Sequence, residues 1–133
     1  MSIRYGVYGL LIRDNAVLMV KTNSGGLAIW NFPGGGIEAG EDSLQALVRE
    51  CREEIGAEVV VHELVYAPKE FFIHPTLGSK NVMTYHRISL AGETQIDYQL
   101  HGAQWFALDA LPVEAMLTVD YEAGQLVCLS QRK

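Results

Sequence analysis

Three glutamates occur at a spacing that places side chains on the same side of a helix. Glu50, Glu53 and Glu54 stand at positions i, i+3 and i+4, which span an arc of about 100° on a helix. Carboxylates this close repel one another and destabilise a helix, whereas a divalent cation converts the repulsion into oxygen coordination. The spacing therefore indicates a candidate cation site.

The same spacing also occurs on ordinary solvated helix faces. Arg49 and Arg52 alternate with the glutamates, and mixed charges are typical of exposed helices. For an isolated run of this kind, a solvated acidic face is the more common explanation, so the neighbouring residues must decide between the two.

The segment from Asp42 to Ile55 has the signals of a helix that would hold these carboxylates. Asp42 suits the N-cap, Gln45 stands three residues later in the capping-box position, and Gly56 follows the last turn. Apolar residues recur at helical spacing and predict a stripe that packs on a sheet or another helix. The stripe consists of Leu44, Leu47, Val48, Cys51 and Ile55.

The rest of the chain has strand-like runs separated by turn residues, and a second helical segment. Pro33 and the glycines Gly34, Gly35 and Gly36 follow the third run. A glycine cluster most often marks a tight turn, but the lack of side chains would also let a metal or phosphate reach the backbone. The predicted strands are Arg4–Arg13, Ala16–Lys21, Leu27–Phe32, Glu58–Ala67, Glu70–Ile73, Val82–Leu90 and Ala103–Ala107, and the second helix is Thr118–Gln131.

Length and composition indicate one globular domain spanning residues 1–133. The 133 residues, 49% of them hydrophobic, can bury a core but are too few for two ordinary domains. The formal net charge of −6 argues against non-specific binding to nucleic acid or to an anionic membrane, since both need a basic surface. Cations for an anionic substrate would have to come from solution.

Cysteine spacing and the apolar segments favour a cytoplasmic protein. Cys51 and Cys128 have no CxxC spacing, and no signal peptide is evident, so we expect reduced thiols and no disulfide. The apolar segment Tyr5–Ile12 is shorter than a membrane span and is followed by Arg13 and Asp14. We therefore predict a buried strand there and no association with a membrane.

The residues around the three glutamates resemble the signature of the Nudix hydrolase family. The segment from Gly35 to Ala57 reads GGIEAGEDSLQALVRECREEIGA and covers 23 of the 133 residues. It departs from the family pattern at Cys51 and Ala57, where the family prefers larger aliphatic residues, and both remain apolar enough to face a core. All seven fixed residues of the pattern are present, namely Gly35, Glu41, Arg49, Glu50, Glu53, Glu54 and Gly56.

The resemblance implies an α/β fold, an α/β/α sandwich around a mixed β-sheet, that carries a metal-dependent site. Glu50 and Glu54 would be direct metal ligands, Glu53 a direct or water-mediated ligand of a further ion, and the Gly35 carbonyl another ligand. Mg²⁺ suits these oxygen donors, and Mn²⁺ could substitute for it. Family members differ in which carboxylate takes the proton of the attacking water, and we favour Glu53.

The resemblance also assigns a supporting role to two charged residues. Glu41 precedes the helix and Arg49 lies on it, so we expect a salt bridge that orients the preceding loop and the carboxylates. The alternative, two unrelated surface charges, is less favoured within a complete signature.

Substrate recognition is expected just before and within the glycines. On a strand, Asn31 would point away from Trp30 and Phe32, and its carboxamide could bind a purine edge. Some Nudix enzymes that act on oxidised purine nucleotides resemble this chain in having Trp-Asn just ahead of the glycines. The alternative is an asparagine at the end of a strand, satisfied by the backbone. The backbones of Gly34 and Gly36 would approach the phosphates.

Several residues outside this segment are candidates for secondary roles. Aromatic side chains could stack on a base, although core packing is more common, and acidic side chains could approach a metal, although most are solvated. Two histidines lack metal-ligand companions, and one proline only loosely matches that of ADP-ribose hydrolases. In the same order, these residues are Tyr66, Phe71, Phe72, Tyr85 and Trp105, then Glu70, Glu93 and Asp97, then His74 and His86, and finally Pro75.

The signature implies hydrolysis of a nucleoside diphosphate linked to another group. The chain is short and has no large insertion, so the favoured substrate is a nucleoside triphosphate, oxidised or not, cleaved to monophosphate and pyrophosphate. Alternatives are ADP-ribose, a nucleotide-sugar, a dinucleoside polyphosphate or capped RNA, and a non-catalytic sensor domain that binds a nucleotide. The expected partner is a small-molecule nucleotide, and a homodimer is compatible with the sequence.

Overall fold

The computed structural model describes residues 3–24, 26–68, 72–73 and 78–131. Within these ranges, no helix is long and apolar enough to cross a membrane. The strands are β1 Ile3–Arg13, β2 Ala16–Ser24, β3 Leu27–Asn31, β4 Gly34–Gly36, β5 Val59–Tyr66, β6 Phe72–Ile73, β7 Lys80–Leu90 and β8 Gln104–Ala107, and the helices are α1 Ser43–Ile55 and α2 Thr118–Gln131, with a short 3₁₀ helix, Val113–Ala115, before α2.

The strands of the described ranges form one mixed sheet with the central order β3-β2-β1-β7-β5. β1 and β7 run parallel over nine paired residues, while the other pairings are antiparallel. Three short strands add to this path, since β4 pairs with β1, β6 with β7 and β8 with β2. Asp14 and Asn15, both with positive φ, form the tight turn between β1 and β2, as their residue types predict.

The two helices pack on opposite faces of the sheet. Successive residues of a strand point to opposite sides, so one strand contributes to the core on each face. From β1, Val7 and Leu11 join the core that includes Cys51 of α1. Leu10 points the other way and joins the core that includes Val127 of α2. These two cores confirm the expected α/β/α sandwich around a mixed sheet.

Helix α1 begins and ends where the sequence predicts. The Gln45 N–H donates to Asp42 Oδ1 at 2.8 Å, the Asp42 N–H donates to Gln45 Oε1 at 2.9 Å, and Gly56 ends the helix with a φ of 63°. The prediction of a packed apolar stripe is wrong for one residue, since Leu44 is 47% exposed. Leu44 lies in the first turn, and periodicity gives the direction of a side chain without fixing how far the sheet extends beneath it.

The glycine cluster forms a short strand, and of the two alternatives that the sequence left open, close approach to the backbone applies here rather than a tight turn. β4 pairs antiparallel with β1, with Gly35 opposite Val7. A Cβ atom on Gly34, whose φ is 149°, would lie 2.2 Å from the Val7 carbonyl oxygen. Glycine is needed at this position because two backbones approach too closely for any side chain.

Helix α2 buries an acidic side chain. Asp120 is fully buried, the Tyr85 hydroxyl donates a hydrogen bond to its Oδ1, and its Oδ2 has no hydrogen-bond partner among the described residues. Burial raises the pKa of this carboxyl to about 7, although the bond from Tyr85 acts in the opposite direction. The folded state therefore favours the protonated acid.

Replacing Asp120 by asparagine should weaken the dependence of stability on pH. Because the folded pKa lies above the unfolded value, the stability contributed by Asp120 is full below about pH 4 and is lost as the pH rises through about 7. Asparagine keeps an acceptor for the Tyr85 hydroxyl but cannot ionise. Between about pH 5 and pH 8, the unfolding free energy in urea should fall by roughly 2–3 kcal/mol more in the wild type than in Asp120→Asn. Parallel pH profiles would contradict this account.

Candidate active site

The acidic side of α1 lies directly against β4. Glu54 Oε1 accepts a hydrogen bond from the Gly34 N–H at 2.8 Å. A Cβ atom on Gly35 would lie 2.7 Å from the carboxyl carbon of Glu50, so a side chain at this position would displace that carboxylate. The glycines therefore let two carboxylates of α1 reach the backbone of β4.

Arg49 links Glu50 to the segment before α1. Its Nε and Nη2 donate to the two carboxylate oxygens of Glu41 at 2.9 and 2.8 Å, and Nη2 also donates to the Gly36 carbonyl at 3.1 Å. Its Nη1 donates to Glu50 Oε1 at 3.0 Å. The structure thus contains the predicted salt bridge, and the hydrogen bonds from Arg49 lower the pKa of Glu41 to about 2.

Glu53 is more exposed than the other two glutamates, although it shares Arg49 Nη1 with Glu50. Its side chain is 58% exposed, and its carboxylate contacts Nη1 of Arg49 at 3.2 Å. In the part of the chain that the structure describes, no three histidine, cysteine, aspartate or glutamate side chains are arranged to hold a metal ion. The helical spacing therefore brings Glu50 and Glu54 to β4 and leaves Glu53 at the solvent edge.

The environment of Glu50 and Glu54 suits a cation. Burial raises the pKa of Glu54 to about 8, against the hydrogen bond from the Gly34 N–H and with the help of the neighbouring Glu50 charge. Burial also raises the pKa of Glu50, against the hydrogen bond from Arg49. Two desolvated carboxylates beside a bare backbone supply the oxygen donors that Mg²⁺ prefers, so these residues fit a divalent cation.

A cavity of about 300 Å³ opens beside Glu54, Gly34 and Gly35. Its volume is within the range of small-molecule sites. Polar and apolar side chains both contribute to its walls, and the amide groups among them can donate and accept hydrogen bonds. The polar residues are Arg4, Thr22, Asn23, Asn31 and Asn81, and the others include Tyr8, Ile29, Phe32, Met83 and Leu117.

Asn31 lies in this cavity, as its proposed role requires. Its Nδ2 donates a hydrogen bond to Thr22 Oγ1 on the neighbouring strand β2, so a side chain rather than the backbone is its partner. Trp30 packs edge-on against Phe106, with ring centroids 4.9 Å apart. The bond to Thr22 orients the Asn31 carboxamide.

The other polar residues of the cavity were not predicted, because no motif in the sequence marks them. Arg4 comes from β1, Thr22 and Asn23 from β2, and Asn81 from β7. No local motif connects these positions, and strand pairing alone brings them together. The pairing of Arg4 with Asn81 spans most of the chain.

The secondary candidates that the structure describes do not line this cavity. Tyr85 is fully buried and packs against Tyr8 and Tyr66, with ring centroids 5.7 and 5.9 Å away. Trp105 Nε1 donates to the Tyr98 hydroxyl at 3.0 Å. His86 Nδ1 lies 3.0 Å from the His62 carbonyl, Glu93 is exposed, and Asp97 adjoins Gly56. Glu70, Phe71, His74 and Pro75, and the side chain of Phe72, lie outside the described residues.

A family model described as the NUDIX domain matches residues 3–127. The chain therefore belongs to the Nudix family. This assignment agrees with the mixed sheet between two helices and with the contact of the signature helix with β4.

Named relatives and a solved structure give similar results. The chain is 33% identical over 104 residues to the NAD-capped RNA hydrolase NudC of Pseudomonas aeruginosa, covering 77% of this chain and 36% of that protein. It is 41% identical over 61 residues to the CTP pyrophosphohydrolase of Escherichia coli, covering 44% of this chain and 45% of that protein. The chain thus matches less than half the length of either relative. The fold resembles the crystal structure of MutT NUDIX hydrolase from Burkholderia pseudomallei, with a TM-score of 0.75, 24% identity, and coverage of 96% of this chain and 99% of that one.

Millimolar Mg²⁺ or Mn²⁺ should raise the melting temperature of the protein. A cation that binds only the folded site relieves the repulsion between Glu50 and Glu54, and binding to the folded state alone always stabilises it. Glu54→Gln should reduce this rise by more than half in a thermal-shift measurement. Glu93→Gln, which removes an exposed charge away from the cavity, is the matched control and should respond like the wild type. An equal rise in all three proteins would place the cation elsewhere.

Proposed function

We propose that this protein hydrolyses a phosphoric anhydride bond of a nucleotide, with nucleoside triphosphates as its first substrates and a monophosphate and pyrophosphate as products. The main support is the position of a nucleotide-sized cavity, lined by amide groups and apolar side chains, directly beside Glu54 and the glycine strand. A nucleoside held there has its phosphates next to the desolvated carboxylates. The two buried, free cysteines agree with a cytoplasmic setting.

Glu50 and Glu54, with the Gly35 carbonyl, would hold Mg²⁺, and Mn²⁺ could replace it. Bound there, the ion would neutralise phosphate charge and lower the pKa of an attacking water. Arg49 fixes Glu50 through Glu41 and the Gly36 carbonyl, so the carboxylate geometry exists before substrate binds.

Glu53 is the proposed base for the attacking water. Its only described protein contact is with Arg49, so its carboxylate retains acceptor capacity for a water molecule. Its exposure also lets the proton pass on to solvent. Glu54, whose oxygen already accepts from Gly34, suits the role of ligand better.

The nucleobase of the substrate would lie among the apolar walls of the cavity, with the Asn31 carboxamide at the edge of the nucleobase. Gly34 and Gly36, which have no side chains, would let the phosphates approach the backbone of β4. The bond to Thr22 occupies one Nδ2 hydrogen of Asn31 and leaves a donor and an acceptor for a base.

Two alternatives remain to be separated from this proposal. The similarity to NudC motivates a capped RNA 5′ end as a second substrate, since it also contains a nucleotide anhydride. A non-catalytic nucleotide sensor is disfavoured because Glu50, Glu53 and Glu54 are all retained. The discriminating experiment incubates the protein and Mg²⁺ with the common and oxidised nucleoside triphosphates, ADP-ribose, NAD and NAD-capped RNA, and resolves the phosphate products. Nucleotide binding without turnover of any of them would favour the sensor.

Asn31→Ala should weaken discrimination among bases more than it weakens the chemistry. The substitution removes hydrogen bonds to the nucleobase but no metal ligand. The fall in kcat/KM for the preferred substrate should correspond to a loss of about 1–3 kcal/mol in transition-state stabilisation. The measurement is kcat/KM for each base in the wild type and the variant. Equal losses for every base would reject this role of Asn31.

Glu53→Gln and Glu54→Gln should each reduce turnover by about 100-fold or more. The reason is that the proposed base and the proposed metal ligand both stabilise charge that develops in the transition state. Stability without metal should hold or rise, since each substitution removes one of several repelling charges. Extra Mn²⁺ should partly rescue Glu54→Gln, a ligand variant, and leave Glu53→Gln slow at saturation. Turnover near that of Glu93→Gln in both variants, on a verified substrate, would overturn the mechanism.

A further inference from the structure

We propose that Arg4 of β1 and Asn81 of β7 form an anion subsite that binds the phosphate chain of the substrate. The two residues and Asn31 of β3 line the same cavity. This inference rests on the proposed function and adds a residue pair outside the signature segment. Both residues line the cavity beside Glu54.

Strand pairing places Arg4 and Asn81 side by side. They are direct partners in the parallel β1–β7 ladder, so their side chains lie on the same face of the sheet. The neighbouring row on this face contains Gly6 and Gly36, which are also paired and have no side chains. The ring of Tyr8 covers Gly6, and the missing side chain of Gly36 leaves room for Arg4 to extend toward β4.

The Arg4 guanidinium lies over the end of the glycine strand. A Cβ atom on Gly36 would be 3.2 Å from Arg4 Nε and 3.3 Å from Nη2. The preceding residue, Gly35, is the one whose Cβ would meet the Glu50 carboxylate. Gly35 and Gly36 point to opposite faces of β4, but Arg4 and Glu54 both line the cavity beside this strand. Phosphates held at the proposed metal ligands would therefore lie in the same cavity as Arg4.

Arg4 is not held in a salt bridge, in contrast to three other arginines of the described residues. Arg49, Arg52 and Arg87 contact the carboxylates of Glu41, Glu58 and Glu63. Among the residues that the structure describes, no carboxylate forms a salt bridge with Arg4. A guanidinium that lines the cavity and is not held in a salt bridge is suited to an anionic ligand.

Asn81 presents a second hydrogen-bond donor. Its side chain is more than nine-tenths buried, and its Oδ1 accepts a hydrogen bond from Ser79 Oγ at 3.1 Å. That bond leaves the Nδ2 group, which has no described hydrogen-bond partner, for a ligand in the cavity. Arg4 and Asn81 thus offer donors only, and phosphate oxygens are acceptors only.

The experiment compares Arg4→Gln, Arg4→Lys and Asn81→Ala with Arg13→Gln, a control on the same strand whose arginine stacks over Trp105. It measures KM for each nucleoside triphosphate and the inhibition constant of inorganic pyrophosphate with Mg²⁺. Arg4→Gln should raise both constants by about 10- to 100-fold and leave the ratios among bases unchanged. Arg4→Lys and Asn81→Ala should cause smaller rises, and Arg13→Gln should stay near the wild type.

Gly36→Ala gives a test that keeps both side chains. The added Cβ crowds the Arg4 guanidinium, so the same two constants should rise, but less than in Arg4→Gln. Calorimetric titration of wild type and Arg4→Gln with magnesium pyrophosphate provides a measurement that needs no turnover. If no nucleotide is hydrolysed, the proposed function fails, and this titration still decides the role of Arg4.

Three results would overturn the subsite. The first is an unchanged pyrophosphate affinity in Arg4→Gln, and the second is no pyrophosphate binding by the wild type. The third is a changed preference among bases without a change in pyrophosphate affinity, which would mean that Arg4 contacts the base.

Discussion

The site depends on a strand that has no side chains. β4 is held between β1 and α1 so closely that a Cβ atom on Gly34 would collide with the backbone of Val7, and one on Gly35 would collide with the Glu50 carboxylate. Three glycines therefore allow an acidic helix to approach the backbone of a sheet. The Gly34 N–H bonds to Glu54, and the Gly36 carbonyl bonds to Arg49, so the backbone itself positions these charged groups.

This approach costs stability, because it removes negative charges from water. The pKa of Glu54 rises to about 8, which means that its ionised form is disfavoured by its surroundings. Arg49 compensates only in part, since its hydrogen bonds go mainly to Glu41 and Glu50. Burial therefore disfavours the ionised form of these carboxylates, and a bound cation would offset this cost.

The signature residues and most of the cavity walls lie on different elements of the fold. α1 and β4 supply the groups of the family signature, whereas the walls of the cavity come from β1, β2, β3 and β7 and from Leu117 before α2. Because the walls lie outside the signature, they can differ between relatives that share it. The two relatives, matched over 104 and 61 residues, are named for different substrates.

The sequence by itself determined the features that depend on residues close together along the chain. The capping box of Asp42 and Gln45 and the order of strands and helices follow from local spacing, and the salt bridge of Arg49 with Glu41 follows from the resemblance to the family signature. Only the tertiary structure decided that the glycines form a strand, that Leu44 is exposed and that Arg4 lies beside Asn81. Spacing fixes the direction of side chains within one element, but pairing distant strands depends on packing the whole sheet between two helices.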